Sequence, residues 1–257
     1  MISALEPLQA LLGDSFWHIF IVFLRVGAVV SVMPAFGESI IPTRVKIIVA
    51  IAFTLIVAPA VSVTPSPNNI GTYVGQALAE TTNGLMLGIG LRMFILALQT
   101  AGSIAAQSTS LSQILGGAAS EPVPAMGYIL VFAAFALAVT TGLHVKAAQL
   151  MIFSYQMLPL GVFPNAADLS MWGVHQISLA FSLAFTLAAP FVVLSLLYNL
   201  ALGVINKAMP QLMVAFVGAP LITAGGLFIL CIATPVLLQT WLEALNMFIL
   251  NPFRVRP

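Results

Sequence analysis

The 257 residues are 61% hydrophobic and 6% charged, with a formal net charge of +1. A soluble globular domain is about one quarter charged, so this composition is that of an integral membrane protein or of the buried part of a membrane assembly. The near-zero charge leaves no basic face for nucleic acid, and a single cysteine, Cys231, rules out an internal disulfide framework.

The first 14 residues carry Glu6 and Asp14 and no Lys or Arg. A cleaved signal peptide needs a positive start, so the first apolar run, Phe16 to Met33, is expected to persist. Arg25 lies in the middle of that run. A charge there costs at least about 2.5–3.5 kcal/mol on insertion scales, so Arg25 should face protein. Snorkelling or structural pairing with a carboxylate is favoured over a transport role. The loop Pro34 to Lys46 holds Pro34, Pro42, Arg44 and Lys46, and leads into a second run, Val45 to Val63. A Pro- and Asn-rich turn follows.

The third run, Tyr73 to Ile104, contains Glu80 and Arg92. As one helix it reaches about 48 Å, well beyond a hydrocarbon core of about 30 Å. It is expected to break near Gly88–Gly90 or to stand out of the membrane plane. The pairs Gly71/Gly75 and Gly84/Gly88 form weak small-xxx-small motifs. Gln107 to Pro124 then departs from the apolar pattern: polar Gln107, Ser108, Ser110 and Gln113, apolar Leu111, Ile114 and Leu115, flexible Gly116 and Gly117, and stiff Pro122 and Pro124. It reads either as a loop between membrane helices or as a bendable segment in a protein-lined cavity.

A fourth run extends from Tyr128 to Leu158. His144 and Lys146 within it read as an interfacial or protein-facing pair rather than a proton relay. Asp168 and Ser170 are candidate caps for the next helix. The fifth run, Met171 to Leu202, contains Pro190, which should kink or divide it. The last, Leu212 to Leu250, contains Gly218, Pro220, Gly225, Gly226 and Pro235. The expected fold is all-α: membrane-associated hairpins of about six long apolar segments, several kinked or broken. Arg44 and Lys46 place the first loop in the cytoplasm by the positive-inside bias. No P-loop, dinucleotide fingerprint, zinc motif or nucleophile elbow is present. No metal, cofactor or catalytic residue is expected, and the chain reads as a non-enzyme.

Two stretches carry a family pattern. One is Phe23-x-Arg25-x-Gly27, Pro34-x-Phe36 and Pro42-x-Arg44-x-Lys46. The other is Asn199-Leu-Ala-Leu-Gly203, Asn206 to Gln211 with Pro210, then Gly218-x-Pro220 and Gly225-Gly226-Leu227. Gly142-Leu143-His144, Ser154 and Leu158-Pro159-x-Gly161 lie between them. This order resembles the FliR family of flagellar type III export-gate proteins, related to the injectisome SctT family. Lys207 and Lys146 depart from the family's usual Arg and Glu.

The resemblance implies a non-catalytic, channel-forming subunit at the flagellar basal body in the bacterial inner membrane. It implies assembly with FliP-like and FliQ-like subunits, contact with FlhB-like switch and FlhA-like gate proteins, and passage of unfolded flagellar proteins. Residues 1–165 would be FliP-like and 166–257 a FliQ-like hairpin. Residues 107–124 would be a plug loop, with Ile114 and Leu115 as a dry seal and Gly116 and Gly117 as a hinge. The assembled helices would sit largely above the membrane plane. The alternative is a secondary transporter or small-solute channel using Arg25, Glu80, Arg92 and His144.

Overall fold

A computed structural model describes residues 6–63, 66–67, 69–109, 125–209 and 214–253. Among these the elements are α1 (Glu6–Val32), α2 (Thr43–Val57) with a 3-10 turn (Ala58–Ala60), α3 (Ile70–Thr109), α4 (Ala125–Thr140), α5 (Leu143–Met157), α6 (Ala166–Ala208) and α7 (Val214–Leu250), and no strand. Five helices are long and apolar enough to cross a membrane, or six if the bent pair α4–α5 forms one span. The all-α membrane fold is as the sequence implies.

Of the alternatives open for the third and fifth runs, a break in α3 and a division of α6 do not occur. α3 runs unbroken through Gly88–Gly90 for 40 residues, about 60 Å. Those glycines are packing positions. A Cβ at Gly88 would lie 3.3 Å from Val29 Cα and Val32 Cβ, and one at Gly90 would meet the Phe248 and Trp172 rings. Likewise α6 is not divided at Pro190, and α7 contains both Pro220 and Pro235. The fourth run does break, at Gly142: α4 and α5 meet at 74°, and Gly142 has φ +81°. That left-handed conformation is what glycine adopts without a Cβ penalty.

The described chain forms two compact units. One holds α1, α2, α3 up to Arg92, the chain from Val139 through α5 to His175, and the chain from Met247. Its core includes Val22, Val26 and Val29 of α1 and Met33 just beyond its end, none of them exposed, at helical i, i+4, i+7, i+11 spacing. Gly84 lets α3 approach α1 closely, since a Cβ there would collide with the Arg25 carbonyl and with Ala28. Gly71 and Gly75 make no comparable approach: nothing lies within 4 Å of a Cβ at Gly75. Only the second pair is a packing motif.

The other unit holds the rest of α3, α4 up to Ala138, α6 from Gln176 and α7 up to Asn246. Here α3 and α4 touch through their backbones, because a Cβ at Gly102 would collide with Gly127. Trp241 is fully buried and its Nε1–H donates to the Phe94 carbonyl at 2.9 Å. That bond satisfies the one polar atom of an otherwise apolar side chain.

Candidate functional site

The densest polar construction lies in the first unit, around Arg25. α1 carries Arg25 at a core position, and α3 brings Glu80 opposite it. Both side chains have zero exposure. Arg25 Nε–H donates to Glu80 Oε2 at 2.6 Å and Nη2–H to Glu80 Oε1 at 2.8 Å. This is the bidentate fork that suits guanidinium and carboxylate. Nη2 also donates to the Leu158 carbonyl at 2.9 Å, and Nη1 to Ser154 Oγ at 3.2 Å. The Tyr155 ring lies under the guanidinium, 3.8 Å from its carbon to the ring centroid, a cation–π contact.

Glu80 Oε1 accepts a further bond from Gly161 N–H at 2.8 Å. Gly161 has φ +75°, and a Cβ there would run into Gln76. One turn along α3, Asn83 Nδ2 donates to the Val162 carbonyl at 3.0 Å. The cluster therefore staples α1, α3, the end of α5 and the turn that follows it. The guanidinium and the carboxylate use each other's principal bonding sites. Buried charge persists when it is paired and hydrogen-bonded in this way. Of the two structural readings of Arg25, snorkelling or pairing, the structure has the carboxylate pair.

The loop between α1 and α2 is also tied down. Pro34 is buried, Ala35 has φ +66°, and Gly37 N–H donates to the Met33 carbonyl at 2.7 Å. Lys46 Nζ donates to the Gly37 carbonyl at 2.8 Å, and Arg92 pairs with Glu38 at 2.5 Å. Pro42 is the exposed N-cap residue of α2 and Arg44 is exposed. Pro34, Lys46 and Arg92 thus serve one tight loop, while Arg44 faces outward.

The remaining expected residues are dispersed. Gln107 is exposed and Ser108 half-buried in the last turn of α3, with Ser108 Oγ donating to the Ala105 carbonyl. Thr109 is buried, and a Cβ at Gly226 would press on its side chain. Ser110, Leu111, Gln113, Ile114, Leu115, Gly116, Gly117, Pro122 and Pro124 lie outside the described residues, as do Pro210 and Gln211. Gly218 is buried inside α7, where a Cβ would meet Tyr198 Oη, and Pro220 is exposed. His144 is exposed. The expected cap of α6 is corrected: Asn165 Oδ1 accepts Ala167 N–H at 2.9 Å. Asp168 instead adds favourable charge to the first turn, and Ser170 bonds back to Ala167. Among the described residues, no group of three His, Cys, Asp or Glu could hold a metal.

Residues 16–248 match the family described as bacterial export proteins, family 1. Flagellar biosynthetic protein FliR of Caulobacter vibrioides is 34% identical over 227 residues, covering 87% of this chain and 90% of that relative. The chain belongs to the FliR family of bacterial export proteins. FliR of Escherichia coli K12 is 28% identical, with 86% of this chain and 84% of that relative covered. FliR of Bacillus subtilis strain 168 is 27% identical, with coverage of 87% and 88%. Within this chain, Arg25, Ser154 and Leu158-Pro159-x-Gly161 converge on one cluster. The sequence presents Glu80 as a charge within an apolar run and as a polar site of the transporter alternative, not as the partner of Arg25. A lone carboxylate at an apolar helical position was the signal available for it.

Proposed function

We propose that the chain is a structural, channel-forming subunit of the flagellar type III export gate in the bacterial inner membrane. The observation that carries this reading is the family match along residues 16–248. It assembles with FliP-like and FliQ-like subunits, residues 1–165 taking the FliP-like position and 166–257 the FliQ-like one. FlhB-like and FlhA-like proteins adjoin it, and unfolded flagellar proteins pass through the assembly. Exposed Leu196, Leu197 and Leu200 on α6, and Leu227, Phe228 and Ile232 on α7, suit burial against neighbouring subunits. Helices of 40, 43 and 37 residues reach about 55–65 Å. That length fits an assembly rising above a hydrocarbon core of about 30 Å.

Residues 107–124 act as the plug. Deleting 111–117 should raise ion leakage across the inner membrane while assembly survives, and a tight membrane in that strain overturns the plug. Co-expression with FliP-like and FliQ-like partners should give a complex that purifies as one species. A ligand-responsive monomer that ignores those partners would favour a transporter instead. What speaks against that alternative is that Arg25 pairs with Glu80 and Arg92 with Glu38, while His144 is exposed.

A further inference from the structure

α2 has two unlike sides. Ala50, Phe53, Thr54 and Val57 are buried. Ile48, Ile51 and Leu55 are 66%, 46% and 64% exposed. Positions 44, 48, 51 and 55 stand at i, i+4, i+7 and i+11, so Arg44 ends the same stripe that the three apolar side chains form. The α-carbons of Arg44 and Leu55 are about 16 Å apart along the axis, roughly half of a 30 Å hydrocarbon core. The stripe is therefore one leaflet deep, with its charge at one end.

Arg44 is exposed and makes no ion pair or side-chain hydrogen bond among the described residues. Its loop offers no carboxylate to neutralise it, because Glu38 is held by Arg92. Lys46 adds a second cation one turn into the helix, its amine on the Gly37 carbonyl. Ile40, in the loop leading into α2, is 78% exposed.

We infer that this outer side of α2 is a docking surface for anionic phospholipid. The acyl chain lies along Ile48, Ile51 and Leu55, and the lipid phosphate takes the Arg44 guanidinium. A phospholipid carries both chemistries in the order that the stripe presents them, at the depth of one leaflet. An apolar partner helix would cover the stripe and leave Arg44 without a counter-charge. Arginine meets phosphate through its planar fork, and its stem can lie on apolar surface while its head stays at the headgroups.

The test uses the full chain in mild detergent, titrated with phosphatidylglycerol or phosphatidylcholine of identical acyl chains and read by native mass spectrometry. Phosphatidylglycerol should be retained in preference. Arg44→Gln should weaken its retention about five-fold, the effect of one cation at an anionic surface, and Arg44→Lys should keep most of it. Because Arg44 is exposed, the variants should elute as the parent does. Independently, a benzophenone amino acid in place of Leu55 should crosslink to lipid in native membranes. Equal retention of the two lipids, an unchanged Arg44→Gln variant, or a protein adduct from position 55 would each overturn the inference.

Discussion

The Arg25 cluster and the α6–α7 helices treat burial in opposite ways. Around Arg25 the chain supplies every principal partner itself: a carboxylate, a hydroxyl, a carbonyl and an aromatic face. In its most apolar stretch α3 is 61% buried within the chain, whereas α6 is 22% and α7 28% buried. The first region is organised to fold as part of one chain. The second presents apolar surface that lipid or other subunits must cover. Substitutions in the two regions should therefore fail differently, one in the chain alone and the other in the company it keeps.

The largest effect should come from leaving one member of the ion pair alone. Glu80→Ala strands a buried guanidinium and should destabilise the isolated chain by about 3–5 kcal/mol, read by denaturant titration in detergent and by loss of monodisperse elution. The double variant Arg25→Met with Glu80→Met should recover most of that loss, because apolar residues of similar volume replace a buried pair at little net cost. By contrast Leu197→Ala on exposed α6 should move the isolated chain by no more than about 0.5 kcal/mol while weakening co-purification with neighbouring subunits. Equal behaviour of Glu80→Ala and Leu197→Ala in the isolated chain would erase the distinction.

A second contrast lies within α3 alone. Gly84→Leu drives a side chain into the Arg25 carbonyl and Ala28, and overpacking of this kind costs about 1–3 kcal/mol. Gly75→Ala meets open space and should stabilise by about 0.5–1 kcal/mol through helix propensity alone. Opposite signs for two glycines on one helix are the expected outcome of the same denaturant titration.

These glycines show where the sequence was legible. Spacing alone presents Gly71/Gly75 and Gly84/Gly88 as equals, and only the position of α1 separates them. Composition gave the helical membrane fold, and the charge in a core stripe showed that Arg25 needs protein around it. The identity of its partner did not follow, because Glu80 is 55 positions away and is brought there by packing. Which of the possible breaks form did not follow either, for the same reason. Pro190 and Gly88–Gly90 disrupt a helix by local preference, yet α6 and α3 continue through them; a Cβ at Gly88 would press on the Val29 backbone and Val32 Cβ, and one at Gly90 on the Phe248 and Trp172 rings. Gly142, whose positive φ produces the actual bend, sits in a Thr-Gly-Leu context with no proline to advertise it.

A smaller effect belongs to Gly161. Its φ of +75° places a left-handed residue in the turn that Glu80 holds, and a side chain there costs about 1–2 kcal/mol. Gly161→Ala must also displace Gln76, a flexible side chain that can give way. The loss should stay well below that of Glu80→Ala and should vanish in a Glu80→Ala background if the backbone bond to Glu80 is what fixes the turn. Additive losses in the double variant would show that the turn is held by packing instead.

The smallest effect tests the other region. Tyr198 Oη is buried with no hydrogen-bond partner among the described residues, and it occupies the space a Cβ at Gly218 would need. Removing the hydroxyl removes an unsatisfied polar atom, so Tyr198→Phe should be neutral or stabilise by at most about 1 kcal/mol. Gly218→Ala alone gains helix propensity but collides with the hydroxyl, so it should be neutral to mildly destabilising. Combined with Tyr198→Phe, the collision is gone and the propensity gain of about 1 kcal/mol remains. The double variant should then exceed the parent, with a coupling that the two single variants do not predict. Were the two changes to add, the glycine in Gly218-x-Pro220 would owe its place to a contact made outside this chain. That result would carry the contrast between self-sufficient and partner-dependent helices into the interior of α7.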